Sequence, residues 1–317
     1  MTIISFLRLV EIQTKVASII PFSFGTLYAL YRFEQFKFNN FILMFISLIV
    51  FDMTTTAINN YYDYKRSIKK HGYGYESHNA IVYYKMNENT VRLTILILLS
   101  IAIISGFNLF LNTSMVVLLI GMLSFLVGIL YSYGPVPISR TPLGEIFSGL
   151  FMGFVIVFLS VYIHVENLDI LSVNLNHINL NIQVNLKEIT LIFLISLPAV
   201  MGISNIMLAN NICDMEDDKE NKRFTLPIYV GKENALKVFK ASYYLVYIDL
   251  IVLLLLRVLP MLSILSLLTL IPVYKNIQIF DKKQLKEETF VLAVKNFVLI
   301  NMVHLVMIGI AVIMKNL

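Results

Sequence analysis

Two short stretches hold most of the side chains able to do polar chemistry in an otherwise apolar chain. The first is Thr54-Thr-Thr-Ala-Ile-Asn-Asn-Tyr-Tyr-Asp-Tyr-Lys-Arg66, and the second is Leu208-Ala-Asn-Asn-Ile-Cys-Asp-Met-Glu-Asp-Asp-Lys-Glu-Asn-Lys-Arg-Phe-Thr-Leu226. Each sets an asparagine four residues before an aspartate, Asn59 before Asp63 and Asn210 before Asp214, and the second adds Asp218 after four more. On a continuous helix, residues four apart lie one above the other, so Asn210, Asp214 and Asp218 would share one face. Such a face is rich in oxygen and suits a hard cation. Mg²⁺ takes oxygen ligands and keeps waters and substrate phosphates in its shell, so separated aspartates serve it better than a closed cage. The metal-ligand candidates are therefore Asp63, Asp214 and Asp218. The amides of Asn59, Asn60, Asn210 and Asn211 and the cations Lys65, Lys222 and Arg223 are the candidates for binding a phosphate-bearing substrate, arginine through two parallel bonds. Either stretch alone also reads as a solvated helix end with ion pairs and interfacial tyrosines; their recurrence at the ends of two apolar spans favours a shared site.

The elements that must position these residues cross a membrane. Of 317 residues, 58% are hydrophobic and 14% charged, with mean hydropathy +0.77, values that exclude an ordinary soluble domain. Apolar segments long enough to cross the hydrocarbon core recur near 12–31, 41–60, 91–111, 115–133, 143–163, 188–209, 237–256, 259–276 and 291–314. Arg257 and Pro260 imply a tight turn between the seventh and eighth. The expected fold is all-α, a multi-span transmembrane bundle of about nine helices forming one domain over 1–317. No cleaved leader is expected. With the N-terminus in the cytoplasm, most of the 25 lysines and arginines fall on the inner side; both polar stretches are then cytoplasmic and the C-terminus external, in the cell membrane. The segment from His164 to Lys187 is expected as an external surface loop.

Single-residue counts narrow the chemistry. One cysteine, Cys213, excludes an internal disulfide and a thiolate cage, and beside the aspartates it reads as a small buried residue. His71, His78, His164, His177 and His304 include no close ligand pair, so zinc is not expected. The net charge of +5 resides in loops beside spans and gives no reason to expect nucleic acid.

Asn59-Asn-Tyr-Tyr-Asp63 and Asp214-Met-Glu-Asp-Asp218 resemble the two motifs of the UbiA-type intramembrane prenyltransferases, an Asn-Asp-x-x-Asp after the second helix and an Asp-x-x-x-Asp after the sixth. Within that superfamily the chain looks most like the 1,4-dihydroxy-2-naphthoate polyprenyltransferases of menaquinone synthesis. The stretches that carry this likeness are Asn59 to Arg66, Leu130-Tyr-Ser-Tyr-Gly-Pro-Val-Pro137 with Thr141-Pro-Leu-Gly-Glu145, and Leu208 to Leu226. The first motif departs from the family pattern: Asn60 stands where aspartate is usual, and Ser67 and Lys69 stand where a later aspartate is expected. Glu76 is a candidate replacement for the missing acid.

The resemblance implies transfer of a polyprenyl group from an allylic polyprenyl diphosphate to an aromatic acceptor, 1,4-dihydroxy-2-naphthoate with decarboxylation to demethylmenaquinone, with Mg²⁺ as cofactor. Asp63 and Asp214 become catalytic candidates through the metal on the leaving diphosphate. Tyr131 and Tyr133 become candidates for steadying the allylic cation by cation–π attraction, against their other reading as interface anchors. Gly134, Pro135, Pro137 and Pro142 prevent helix and suit backbone lining a cavity. Glu11 and Lys15, four apart, either meet the acceptor or pair with each other. The isoprenoid tail would run between spans into the lipid bilayer. Another aromatic acceptor, a non-catalytic isoprenoid-binding protein and a secondary transporter are the competing readings; against the last, the polar groups fall at helix ends rather than mid-span.

Overall fold

The computed structural model describes residues 1–68, 75–76, 79–176 and 179–316. A capped N-terminal helix α1, Ile3–Leu9, ends where Glu11 turns left-handed (φ 46°), and a short 3-10 turn then leads into α2, Val16–Phe33. The polar stretch Thr54 to Arg66 closes the long helix α3, Phe38–Arg66. After it come α4 (Ala80–Tyr83), α5 (Glu88–Leu111) and α6 (Met115–Ser132). The next span is composite: α7 (Gly144–Ser148), a π-helical segment Gly149–Val155, and α8 (Ile156–Val165). A β-hairpin of β1 (Leu171–Asn176) and β2 (Asn179–Val184) leads to α9, Leu186–Cys213, and the short helices α10 (Met215–Glu220) and α11 (Leu226–Val230) follow. The chain ends with α12 (Lys232–Leu255), a 3-10 segment Met261–Thr269 continuing as α13 (Leu270–Lys282), and α14 (Val291–Asn316).

Eight of these helical stretches are long and apolar enough to cross a membrane. The first expected span, α2, is an 18-residue helix with Pro21 in its second turn and is not one of the eight. It nevertheless lies within the bundle, because Gly25 lets it approach α8 so closely that a Cβ there would stand 2.6 Å from the Val157 carbonyl oxygen. Small residues at helix crossings are the usual means of packing spans that gain nothing from hydrophobic burial in lipid. The composite span meets α9 the same way: a Cβ on Gly153 would lie 2.6 Å from the backbone of Val200. The turn expected at Arg257 and Pro260 is present, with Arg257 at φ 55°.

The expected loop between His164 and Lys187 is in part the hairpin, a strand pair in an otherwise helical fold. Leu171 faces Val184 and Val173 faces Ile182 across the ladder, while Ser172 faces Gln183. The alternation that makes one face apolar and the other polar is a strand period of two.

The largest apolar core joins α2, α3, α8, α9 and α12 around Phe22, Tyr28, Phe158 and Tyr162. A second, around Phe239, Tyr243 and Phe280, ties α9 to α12 and α13. A smaller one of Leu9, Ala57, Tyr61, Ile81 and Val91 fixes the end of α3 against α1, α4 and α5. Outward faces stay apolar, as on α5, where Leu93, Ile97, Ile104 and Leu111 are exposed as lipid requires.

Candidate functional site

The last turns of α3 carry the first motif. Asn59 donates from Nδ2 to Asp63 Oδ2 at 3.1 Å, and its own Oδ1 accepts from the Ser132 hydroxyl of α6 at 2.9 Å. Asn60 faces another way. Its Nδ2 donates to the Leu9 carbonyl and to Glu11 Oε1, both at 3.1 Å, and its backbone oxygen accepts from Asn79 Nδ2 at 2.8 Å. An aspartate at position 60 could make neither donor bond, so this amide ties the end of α1 to α3, while the backbone oxygen ties in α4.

The second motif closes α9. The helix breaks at Asp214 (φ −98°, ψ 10°) and resumes as α10, so the condition of a continuous helix is not met. Helical spacing survives the break because Asp214 N–H donates to the Asn210 carbonyl and Asp218 N–H to the Asp214 carbonyl, at 3.0 and 2.8 Å. Asn210, Asp214 and Asp218 therefore all line the same cavity as Asn59 and Asp63. Asn210 Nδ2 donates to Asp214 Oδ2 at 3.3 Å, repeating the pairing on α3. Asp218 is buried, accepts from the Thr225 hydroxyl at 3.2 Å and pairs with Arg223 at 3.3 Å. Burial, with the negative charge of Asp214 adding to it, pushes the Asp218 carboxyl up to about 6, while Arg223 and Thr225 pull the other way.

The site joins these helix ends through the loop after α6. Arg140, on the turn Ile138–Arg140, lines the cavity, and its backbone oxygen accepts from Phe224 N–H at 3.0 Å. Burial and neighbouring Arg223 lower its pKa, while Asp63 and Asp218 oppose them, so Arg140 feels carboxylates of both motifs. Tyr131 also lines the cavity, its hydroxyl donating to the Gly144 carbonyl at 3.4 Å.

Other expected residues sit elsewhere. Lys65 pairs with Glu88 of α5 at 2.8 Å, because its place one turn past Tyr61 turns it toward that helix. Lys222 is exposed in a left-handed turn (φ 53°) and does not line the cavity. Asn211, one step round the helix from Asn210, donates to Glu145 Oε1 at 2.8 Å in the protein interior. Tyr133 is 46% exposed and stands 5.0 Å from the Tyr62 ring, outside the cavity lining; Arg66 lies over the other partner of that pair. Glu76 is not among the lining residues, and Lys69, His71, His78 and His177 lie outside the described residues.

Glu11 and Lys15 do not pair. The left-handed backbone at Glu11 breaks the helix their spacing presumed, and buried Lys15 instead donates to Asp52 Oδ1 at 2.5 Å and Thr56 Oγ1 at 2.8 Å. Ser18 completes the carboxylate at 2.5 Å. Asp52, Arg140, Glu145 and Lys286 all escaped the reading of the sequence. Arg140 carried a signal, a lone cation between prolines in a loop already marked as cavity-lining. Lys286 carried none: it reaches Asp214 from 72 residues away.

The cavity holds about 1590 Å³. Its mouth is the polar cluster just described, and its depth is apolar, with Leu48 and Phe51 of α3, Phe107 of α5, Met122 and Phe125 of α6 and Phe151 of the π segment. Among the described residues no group of three or more His, Cys, Asp or Glu converges as a ready-made metal cage. Carboxylate and amide oxygens on separate helix ends remain the donor set, which fits a hard cation that shares its shell with phosphate oxygens.

A polytopic membrane protein with two matched amide–carboxylate turns over a long apolar cavity is the class these features define. Residues 18–301 match the model of the UbiA prenyltransferase family, and the chain belongs to that family. It is 32% identical over 244 residues to the 1,4-dihydroxy-2-naphthoate octaprenyltransferase of Bacillus subtilis (strain 168), an overlap of 76% of this chain and 70% of the relative. Its fold is similar to the apo structure of a UbiA homologue from Aeropyrum pernix K1, with TM-score 0.69 and 18% identity over 96% of this chain and 98% of the other. It is also similar to a UbiA homologue from Archaeoglobus fulgidus bound to GPP and Mg²⁺, with TM-score 0.66 and 14% identity over 97% and 99% of the two chains. The protein is thus an integral membrane prenyltransferase.

Proposed function

We propose that the chain, as one domain over 1–317, transfers a polyprenyl group from an allylic polyprenyl diphosphate to 1,4-dihydroxy-2-naphthoate, with loss of the ring carboxylate as CO₂, giving demethylmenaquinone at the quinol level. The observation that carries this reading is the pairing of Asn59–Asp63 with Asn210–Asp214 across the mouth of a cavity whose depth is apolar. The B. subtilis relative supports the naphthoate as acceptor. Asp63, Asp214 and Asp218 would hold Mg²⁺, which when bound neutralises charge growing on the leaving diphosphate.

The chain's own groups supply the rest. Asn59 and Asn210 hold their aspartates by one carboxylate oxygen each and leave the other for a ligand. Arg140 and Arg223 point cationic donors at the same mouth and stabilise the departing diphosphate. The allylic C–O bond breaks there and a bond to the ring carbon forms. The face of Tyr131 steadies the allylic cation, and the apolar walls around Phe51, Phe125 and Phe151 hold the tail and keep water from the cation. The weight of Lys and Arg puts this mouth and the N-terminus in the cytoplasm and the C-terminus outside.

Purified protein with a polyprenyl diphosphate, the naphthoate and Mg²⁺ should yield prenylated product and pyrophosphate in equal amounts, and Asp214→Ala should abolish both. Pyrophosphate without prenylated naphthoate would reject this acceptor while keeping diphosphate cleavage.

A further inference from the structure

The connection between α13 and α14 is bonded as tightly as a helix. The Leu285 carbonyl accepts from the N–H groups of Glu288, Thr289 and Phe290 at 3.3, 2.9 and 3.2 Å, and Thr289 Oγ1 accepts from Leu285 N–H at 2.9 Å. Gln284 Nε2 fastens the turn to the Phe280 and Asp281 carbonyls at 2.6 and 2.7 Å. From this fixed base Lys286 extends into the cavity mouth. Its ammonium donates to Asp214 Oδ2 at 2.5 Å and to Asn210 Oδ1, and lies 5.2 Å above the Phe290 ring. The ammonium thus stands where the side-chain oxygens of Asn210 and Asp214 converge, the position a divalent cation held by both would take. On α3 the matching amide oxygen, Asn59 Oδ1, is held by the uncharged Ser132 hydroxyl.

We infer that Lys286 is a resident counter-cation of the second motif: it occupies the Asn210–Asp214 oxygens in the free protein and yields them to a divalent cation when a diphosphate is present to receive its ammonium. The inference rests on the reading of this cavity as a metal and diphosphate site. A metal arriving alone must strip the ammonium of both acceptors, and Asp214 cannot neutralise the two cations together. A metal arriving with a diphosphate brings new oxygens for the ammonium, so the charge that opposed binding becomes one that favours it. The lysine stem, with its rotatable bonds, can make that short move while the turn beneath it stays fixed. Metal and diphosphate then bind as a mutually dependent pair, and the dependence is reciprocal: each raises the affinity of the other by the same factor. Free Mg²⁺ does not accumulate at Asp214, and diphosphate does not enter without its metal.

The test reads metal binding rather than turnover. Full-length protein in lipid nanodiscs is titrated with Mn²⁺, followed by electron paramagnetic resonance, with and without farnesyl S-thiolodiphosphate, an allylic diphosphate slow to lose its leaving group. Wild type, Lys286→Met, Lys286→Arg and Asp214→Ala are compared, with thermal unfolding as the check on folding. Methionine keeps the unbranched stem over Phe290 without the charge. The wild type should bind Mn²⁺ weakly alone and roughly tenfold or more tightly with the analogue. Lys286→Met should bind Mn²⁺ alone about tenfold more tightly than wild type and lose most of the enhancement, while Lys286→Arg keeps it. Diphosphate-enhanced Mn²⁺ binding that is the same in wild type and Lys286→Met would overturn the inference and leave the site reading intact. If Mn²⁺ binds no better to wild type with the analogue than to Asp214→Ala, the metal and diphosphate reading fails, and the role of Lys286 falls with it.

Discussion

Asn59 and Asn210 stand in the same relation to their aspartates on two helices far apart in sequence: each donates its amide to the carboxylate one turn on, at 3.1 and 3.3 Å. Each amide oxygen is in turn held by another element, α6 through Ser132 and the α13–α14 turn through Lys286. The two carboxylates are therefore oriented by their own helices and anchored by different neighbours.

Asp63→Ala and Asp214→Ala should each lower prenyl transfer by about 10² or more, since each removes a carboxylate proposed to hold the metal on the leaving diphosphate. Asn59→Ala should cost less, about tenfold, and mainly as a raised KM for the diphosphate, because Asp63 stays but loses its orientation. Steady-state kinetics over diphosphate concentration separate the two effects.

Glu145 is buried with one oxygen bonded by Asn211 and the other without a partner among the described residues. Asn211→Leu should destabilise the protein by about 3 kcal/mol by leaving that carboxyl unbonded, while Glu145→Gln should keep the fold. Cys213 is the chain's one thiol and is half-buried, so labelling by a thiol-reactive dye during heating reports the unfolding of each variant.

Gly153→Ala should be among the more damaging single-methyl additions, at about 1–3 kcal/mol. The new Cβ meets the Val200 backbone, which cannot rotate away as a side chain can. The same thermal measurement, set beside Gly121→Ala, where a Cβ meets nothing within 4 Å, checks this.

Asp218 fixes a pH dependence of the metal-free protein. Its carboxyl titrates at about 6 when folded, against 3.8 ordinarily, so between these values the folded state binds more protons than the unfolded. Stability should fall as pH rises through that window and level off above it. Asp218→Asn should flatten the change. A wild-type unfolding temperature that rises from pH 4 to 6 in step with the variant would contradict the assignment.

The spans and both motifs were legible because lipid leaves little choice: apolar runs must be helices, and carboxylates at their ends stand out. What could not be read is what lies around a helix rather than along it. Nothing in Asn210-Asn211 shows that the first amide enters the cavity and the second binds Glu145. Asp52 lies within an apolar run, and its partner follows a helix break that only the left-handed Glu11 creates. The hairpin was hidden because Asn-rich sequence reads as loop, although Val173, Leu171, Ile182 and Val184 keep a strand's alternation.

The Lys15–Asp52 pair bears on how the chain enters the bilayer. Each residue would carry an uncompensated charge if its own helix partitioned alone, at a cost of about 2.5 kcal/mol or more on insertion scales. Lys15 is 2% exposed and Asp52 11%, so in the finished protein each charge is met chiefly by the other. The short link from Phe33 to Phe38 keeps α2 and α3 together as they emerge from the ribosome. The two should therefore leave the translocon as a helical hairpin with the ion pair closed, and a ribosome stalled between them should hold α2 short of the lipid.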